Sequence, residues 1–328
     1  MTPVLRAAIK GVGFAVPDKV LTNRDLEKMV ETSDEWIWTR TGIRERRVAE
    51  KGTGTSDLAS RAALVALERA SLKAGDLDLI IAATSTPDMP LPSCACLIQQ
   101  KIGATKAAAF DLAAACAGFV YALVTAEQFI RNGVYKNILV VGADVISPYI
   151  DWTDRSTCIL FGDGAGAAVL TGASSGGILS SVLGADGNYA ELLKIECGGS
   201  RQPASHESVD AKGHYLKMTG GEVFKLAVRG MSDAVVEALK KAGVKKEDVA
   251  CFIPHQANQR IIDAVAERLE LPKEKIFVNL ERYGNTSAAS CVIALCEALD
   301  CGKIRKKDKV ALATFGSGLV WGALVMEW

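Results

Sequence analysis

The chain carries one pattern twice, and that duplication limits what it can fold into. Residues 57–84 read DLASRAALVALERASLKAGDLDLIIAAT, and residues 225–255 read KLAVRGMSDAVVEALKKAGVKKEDVACFIPH. Each is an amphipathic helix, an Ala-Gly stop, a short acidic linker and an apolar strand. Downstream, AFDLAAACAGF (109–119) is echoed by FVNLERYGNTSA (277–288), and LFGDGAGAAVL (160–170) by TFGSGLVWGALV (314–325). A repeat of half a chain predicts two similar α/β halves rather than a solenoid of short units. The boundary falls near Ser174-Ser175-Gly176-Gly177, dividing the chain into 1–175 and 176–328.

Apolar, β-branched runs alternate with helical patterns along the rest of the chain. LDLIIAAT, AAFDLA, KNILVVGAD, GAAVLT, VACFIP, KIFVNL, KVALAT and WGALVMEW read as strands; 116–132 and 257–269 read as helices. The alternation predicts an α/β fold with buried strands. Residues 177–209 read as less regular, and SRQPASHESVDAKG as a polar surface loop.

At 328 residues and 49% apolar, the chain can bury a large core. A formal net charge of zero argues against a nucleic-acid binder or a polybasic membrane anchor. Nine cysteines and three scattered histidines show no metal-ligand spacing, so no metal site is expected. No apolar run approaches the roughly 18 residues of a membrane span. No signal peptide is expected from MTPVLRAAIKGVGFAVPD, which points to reduced thiols in the cytoplasm.

Three residues stand where chemistry is built. Cys116 follows a short strand and opens a helical pattern, where unpaired N–H groups and the helix dipole favour thiolate; the other reading is a buried structural thiol. His255 ends the strand VACFIP just before a helix, the position at which open α/β sheets carry ligand sites, although a core histidine fits too. Asn285, in RYGNTSAAS, is a functional amide or a helix cap, and its place opposite Cys116 in the repeat favours function. FGDGAGA and FGSG lack GxxxxGK[ST], which argues against a nucleotide loop and for an oxyanion hole or a packing turn. Cys, His and Asn suit acyl-thioester chemistry. They also match Cys-His-Asn peptidases, against which the repeat argues.

Taken together, AACAGF, PHQANQRI, YGNTSAAS, FGDGAGA and FGSGLVWG resemble the β-ketoacyl-acyl carrier protein synthase III family, the initiating condensing enzymes of bacterial type II fatty acid synthesis. The likeness runs nearly end to end from DLEKMVETSDEWIWTRTGIRER (25–46). It implies the thiolase fold, two halves in a layered αβαβα core. It implies that Cys116 takes an acyl group from acyl-CoA, with the Cys116 and Ser317 amides as oxyanion hole. His255 and Asn285 would then stabilise the enolate from malonyl-acyl carrier protein, and no cofactor would be needed. Trp36, Arg40 and Arg155 match CoA-binding positions, and Lys225 and Arg260 match positions that receive the acidic carrier protein. Glu267 stands where relatives can be basic, which narrows that patch. The resemblance also implies a homodimer, with Leu91 at the position of a Phe that in some relatives crosses the interface to line the acyl pocket. The smaller leucine predicts tolerance of primers longer or more branched than acetyl. FGSG lacks the second Cys of a degradative thiolase, and no catalytic Glu of a hydroxymethylglutaryl-CoA synthase is found. A specialised acyltransferase on the same scaffold remains open. A non-catalytic partner subunit would be expected to lose Cys116.

Overall fold

In the computed structural model, which describes residues 5–328, the two halves of the sequence become two sheets. The first half supplies strands β1 (Arg6–Ala15), β2 (Val20–Thr22), β3 (Glu45–Arg47), β4 (Leu79–Ala83), β5 (Ala108–Leu112), β6 (Asn137–Asp144) and β7 (Gly164–Ala173). Its helices are α1 (Asn23–Leu26), α2 (Asp34–Thr41), α3 (Thr55–Ala70), α4 (Cys94–Ile102), α5 (Gly118–Arg131) and α6 (Arg155–Cys158). The second half supplies β8 (Gly177–Ala185), β9 (Leu193–Ile195), β10 (Leu216–Met218), β11 (Val249–Pro254), β12 (Lys309–Gly316) and β13 (Val320–Glu327). With them come α7 (His206–Asp210), α8 (Gly220–Ala242), α9 (Gln259–Leu269), α10 (Leu280–Tyr283) and α11 (Ser290–Asp300).

The sheets repeat one another. The first runs β1-β7-β6-β4-β5, with β5, β4 and β6 parallel and β7 and β1 antiparallel to their neighbours. The second runs β8-β13-β12-β11, with β12 and β11 parallel and the other pairs antiparallel. The change of sheet falls between Ala173 and Gly177.

Helix patterning builds the layers. Leu58, Ala59, Ala62, Ala63, Ala66 and Leu67 form the buried stripe of α3, which lies on the outer face of the first sheet. The helix starts where Asp57 accepts a hydrogen bond from the Gly54 N–H and stops at Ser71 in the left-handed conformation. Helix α8 covers the second sheet in the same way and stops at Gly243. Between the sheets lie α5 and α11, each packed on strands of both. A helix in that position must be apolar all round, and residues 290–296 of α11 are buried without a break. Helix, sheet, helix, sheet, helix is the layered α/β core expected from the resemblance.

Two sequence expectations are corrected, and one strand is added to those read from the chain. Strand β1 lies outside the apolar runs singled out in the sequence because Gly11 and Gly13 weaken its signal. A Cβ there would meet the α3 backbone at 2.4 and 2.5 Å, so these glycines let α3 close on the sheet. Strand β8 occupies the start of the region read as irregular, and its small residues hide an edge strand that pairs along β13. KIFVNL does not form a strand; only Ile276 bridges to Phe252. The Phe277 N–H still donates to the Phe252 carbonyl at 2.9 Å, and beyond it the Gln256 side chain takes the place of the ladder, donating to the Phe277 carbonyl and accepting from the Asn279 N–H at 3.0 Å. The polar stretch around 200–213 is mostly exposed, as expected, and contains α7.

The two halves are braced at their central strands. A Cβ on Gly142 of β6 would lie 2.4 Å from the carbonyl oxygen of Ala288 in the other half, and one on Gly316 of β12 would lie 2.7 Å from the Cys116 nitrogen. Gly142→Ala is expected to cost about 1–3 kcal/mol through overpacking against backbone. Urea unfolding of the variant against the parent checks it, and equal midpoints would show that the brace yields freely.

Candidate active site

In each half a short turn feeds a central helix, after β5 in the first half and after α10 in the second. In the first half the turn Ala115–Ala117 carries Cys116 and leads into α5. In the second, Ser287–Ala289 leads into α11. Both turns begin with a non-glycine residue in the left-handed region, Ala115 at φ 44° and Ser287 at φ 51°. This matches Cys116 to Ala288, so Asn285 stands earlier in its turn than Cys116 does in the other. The geometry also modifies the expected thiolate. Cys116 is buried just ahead of α5, and burial pushes its thiol up to about 12, with a Ser287 hydrogen bond opposing the shift. The resting sulfur is therefore a neutral thiol.

His255 follows β11, held by its own N–H to the Ala313 carbonyl at 2.7 Å. The residue is 3% exposed, and burial lowers the imidazole pKa to about 4, so the ring is neutral through the physiological range. Its Nδ1 lies 2.6 Å from the Ser290 hydroxyl. Ser290 Oγ already accepts the Gln256 N–H, which leaves its own hydrogen free to donate to Nδ1. With Ser290 donating to Nδ1, the imidazole proton sits on Nε2, which has no protein partner among the described residues.

Asn285 is fixed to the first half through both backbone groups: its N–H donates to the Leu160 carbonyl at 2.8 Å and its carbonyl accepts the Gly162 N–H at 3.0 Å. Its Oδ1 accepts the Ser287 N–H at 2.9 Å, so the amide NH2 remains available. Cys116, His255, Asn285, Ser287 and Ser317 all line one cavity of about 720 Å3. The Cys116 and Ser317 amides donate to no other backbone group among the described residues. The Ser317 hydroxyl is tied to the Leu193 carbonyl. The cavity therefore presents a thiol, two neutral side-chain N–H donors and two free backbone donors.

The remaining sequence candidates divide. Arg40, Lys225 and Arg260 line the cavity, whereas Trp36 and Arg155 do not. The Arg40 and Arg155 guanidiniums lie 4.7 and 4.8 Å from the centroid of the Trp36 ring, so both arginines pack on that indole by cation–π contact. Lys225 pairs with Glu222 at the surface. Leu91 is 85% exposed and does not line its own chain's cavity. Among the described residues, no group of three or more His, Cys, Asp or Glu could hold a metal ion, and no helix is long and apolar enough to cross a membrane.

Three site residues escape sequence reasoning. Ser287 and Ser290 sit inside YGNTSAAS and pass for small packing residues; their spacing after Asn285 was the available signal. Asp144 ends KNILVVGAD as an ordinary strand terminus. Buried in the fold, it accepts from the Thr84 and Thr86 hydroxyls, the Ser85 and Thr86 N–H groups and, across the halves, the Ala288 N–H. Burial raises its pKa against the pull of these donors.

Comparison with known proteins follows the same lines. Residues 110–187 match the family model of 3-oxoacyl-[acyl-carrier-protein] synthase III, and residues 239–328 match the model of its C-terminal part. A β-ketoacyl-[acyl-carrier-protein] synthase III of Caldanaerobacter subterraneus subsp. tengcongensis is 54% identical, over 100% of this chain and 99% of that one. The crystal structure of 3-oxoacyl-[acyl-carrier-protein] synthase III from Aquifex aeolicus superposes with a TM-score of 0.91 at 50% identity, covering 98% of this chain and 100% of the other. The priming β-ketosynthase of the R1128 polyketide pathway superposes with a TM-score of 0.92 at 35% identity, covering 100% and 98%.

The buried imidazole has a stability signature. Between its ordinary value of 6.5 and about 4, the unfolded chain binds a proton at His255 and the folded chain does not. His255 therefore lowers stability as the pH falls through that window, by about 3 kcal/mol at its lower end. Urea unfolding across the window should show a shallower pH slope for His255→Asn than for the parent; parallel slopes would contradict the assignment.

Proposed function

The chain belongs to the 3-oxoacyl-[acyl-carrier-protein] synthase III family, and on that premise we propose how its residues carry out the reaction. It is an acyltransferase that condenses an acyl-CoA primer with malonyl-acyl carrier protein, releasing carbon dioxide and initiating fatty acid synthesis. One observation carries the assignment of roles: a thiol, two neutral N–H donors and two free amides face the same cavity.

In the first half-reaction, the Cys116 sulfur bonds to the primer's carbonyl carbon, the bond to the CoA sulfur breaks, and the thiol hydrogen ends on that sulfur. The Cys116 and Ser317 amides meet the oxyanion. In the second, malonyl-acyl carrier protein places its thioester carbonyl against His255 Nε2–H and the Asn285 NH2. These donors stabilise the enolate as carbon dioxide leaves, and a neutral imidazole suits the task because it donates without giving up its proton. The enolate carbon attacks the acyl group and expels the Cys116 sulfur. Side chains and backbone serve every step, so the reading calls for no cofactor.

Trp36 and Arg155 would take the CoA adenine once Arg155 swings off the indole, with Arg40 toward the phosphates. Lys225 and Arg260, at the cavity, suit an acidic carrier protein, by contacts that salt would screen. We assign the enzyme to the cytoplasm as a homodimer of chains whose halves, 1–175 and 176–328, each contribute to one site. In that dimer the exposed Leu91 reaches the partner's acyl pocket.

Mass spectrometry of the carrier protein tests the roles. Cys116→Ala should yield no β-ketoacyl product yet still decarboxylate malonyl-acyl carrier protein. His255→Ala and Asn285→Ala should still become acylated but lose decarboxylation by about 100- to 1,000-fold. Acylation of Cys116 in the parent with no condensed product would move the enzyme to a specialised acyltransferase. The same assay with acetyl-, isobutyryl- and octanoyl-CoA tests Leu91. Leu91→Phe should lower use of the longer primers by about 10- to 100-fold relative to acetyl. Strict acetyl preference in both parent and variant would exclude the role.

A further inference from the structure

We propose that Ser287 is the hydroxyl donor that stabilises the Cys116 sulfur whenever it is anionic, turning its O–H between that sulfur and the Asp144 carboxylate. The inference rests on the acyl-Cys116 reading and adds a group to it. Ser287 Oγ lies 3.3 Å from Cys116 Sγ and is the side chain that hydrogen-bonds it among the described residues. The same hydroxyl holds down the pKa of Asp144 against burial, and the next residue, Ala288, donates its N–H to the Asp144 carboxylate at 3.1 Å. One hydroxyl hydrogen thus has two acceptors, a sulfur and a carboxylate.

The turn does not need a hydroxyl to exist. Its counterpart in the first half adopts the same left-handed backbone with a methyl group, Ala115. What Ser287 adds is its oxygen, buried at 2% exposure and lining the cavity beside the sulfur. The need for a donor follows from the surroundings. The titratable groups around Cys116 are Asp144 at the end of β6, Cys291 on α11 and the neutral His255. None offers a positive charge, and Asp144 opposes an anionic sulfur.

At rest, the thiol hydrogen of Cys116 points to Ser287 Oγ and the serine hydrogen to Asp144. As the sulfur bonds to the primer, its hydrogen passes to the departing CoA sulfur and the serine hydrogen turns to Cys116. In the second half-reaction, the carbon–sulfur bond breaks with its electron pair on Cys116, the serine hydrogen meets it again, and solvent returns the proton. That uptake is the one proton the reaction consumes, because the charge of the malonyl carboxylate passes to the enolate as carbon dioxide leaves and from the enolate to the Cys116 sulfur.

Alkylation of Cys116 by iodoacetamide between about pH 6 and 9 tests the proposal without either substrate, because only the thiolate reacts. The Cys116 peptide is followed by mass spectrometry, since Cys96 and Cys301 are exposed and react as well. Ser287→Ala and Ser287→Gly both remove the hydroxyl, and the glycine variant also relaxes the left-handed backbone, so it serves if the alanine variant folds poorly. Both should alkylate about 10- to 100-fold more slowly at a given pH, with the slope against pH unchanged. Both should condense more slowly while still decarboxylating malonyl-acyl carrier protein. Alkylation at the parent rate would overturn the proposal, and so would a slow alanine variant beside a glycine variant that matches the parent. If instead the parent fails to condense while the alkylation shift is present, the functional reading fails and the hydrogen bond to sulfur stands.

Discussion

Asp144 holds the two halves at the separation the site requires. Its carboxylate is fully buried, a placement that is costly unless every lone pair is met. Oδ1 accepts from Thr84, Ser85 and Thr86 at the end of β4, while Oδ2 reaches across to the Ala288 N–H. One end of the interaction is the strand end of the first sheet, and the other is the turn that carries Ser287 and follows Asn285. Without the carboxylate these donors would be left buried and unpaired, and the second turn would lose its register against Cys116.

Burial sets the chemistry as well as the fold. The low-dielectric environment that neutralises the His255 ring also keeps the Cys116 thiol protonated. Nothing at the reacting centre depends on a permanent positive charge. The proposed mechanism relies on neutral N–H and O–H dipoles aimed before the substrate arrives, and these are worth more in a dry cavity than in water. The cationic side chains that line the cavity are Arg40, Lys194, Lys225 and Arg260, and the proposed reading gives Arg40 to CoA phosphates and Lys225 and Arg260 to an acidic carrier protein.

Much of this was legible from the chain. The duplicated helix–strand pattern announced two sheets, and the strand ends at Cys116 and His255 were visible because open α/β sheets carry sites there. What failed did so for tertiary reasons. The glycines of β1 look like strand breakers until α3 is seen lying against them. KIFVNL has the composition of a strand, but Gln256 occupies its ladder from a distance of more than twenty residues. Ser287, Ser290 and Asp144 gain their meaning only from partners on other elements, Cys116, His255 and the Ala288 amide, and no local pattern encodes such pairs.

The cross-bracing at Gly142 and Gly316 has a consequence for inheritance. Each central strand meets the turn of the opposite copy so closely that a side chain has no room between them. At these two contacts the copies of a duplicated unit are bound to change together. A change that re-aims one turn displaces the working groups of the other, and selection acts on the pair as one heritable unit.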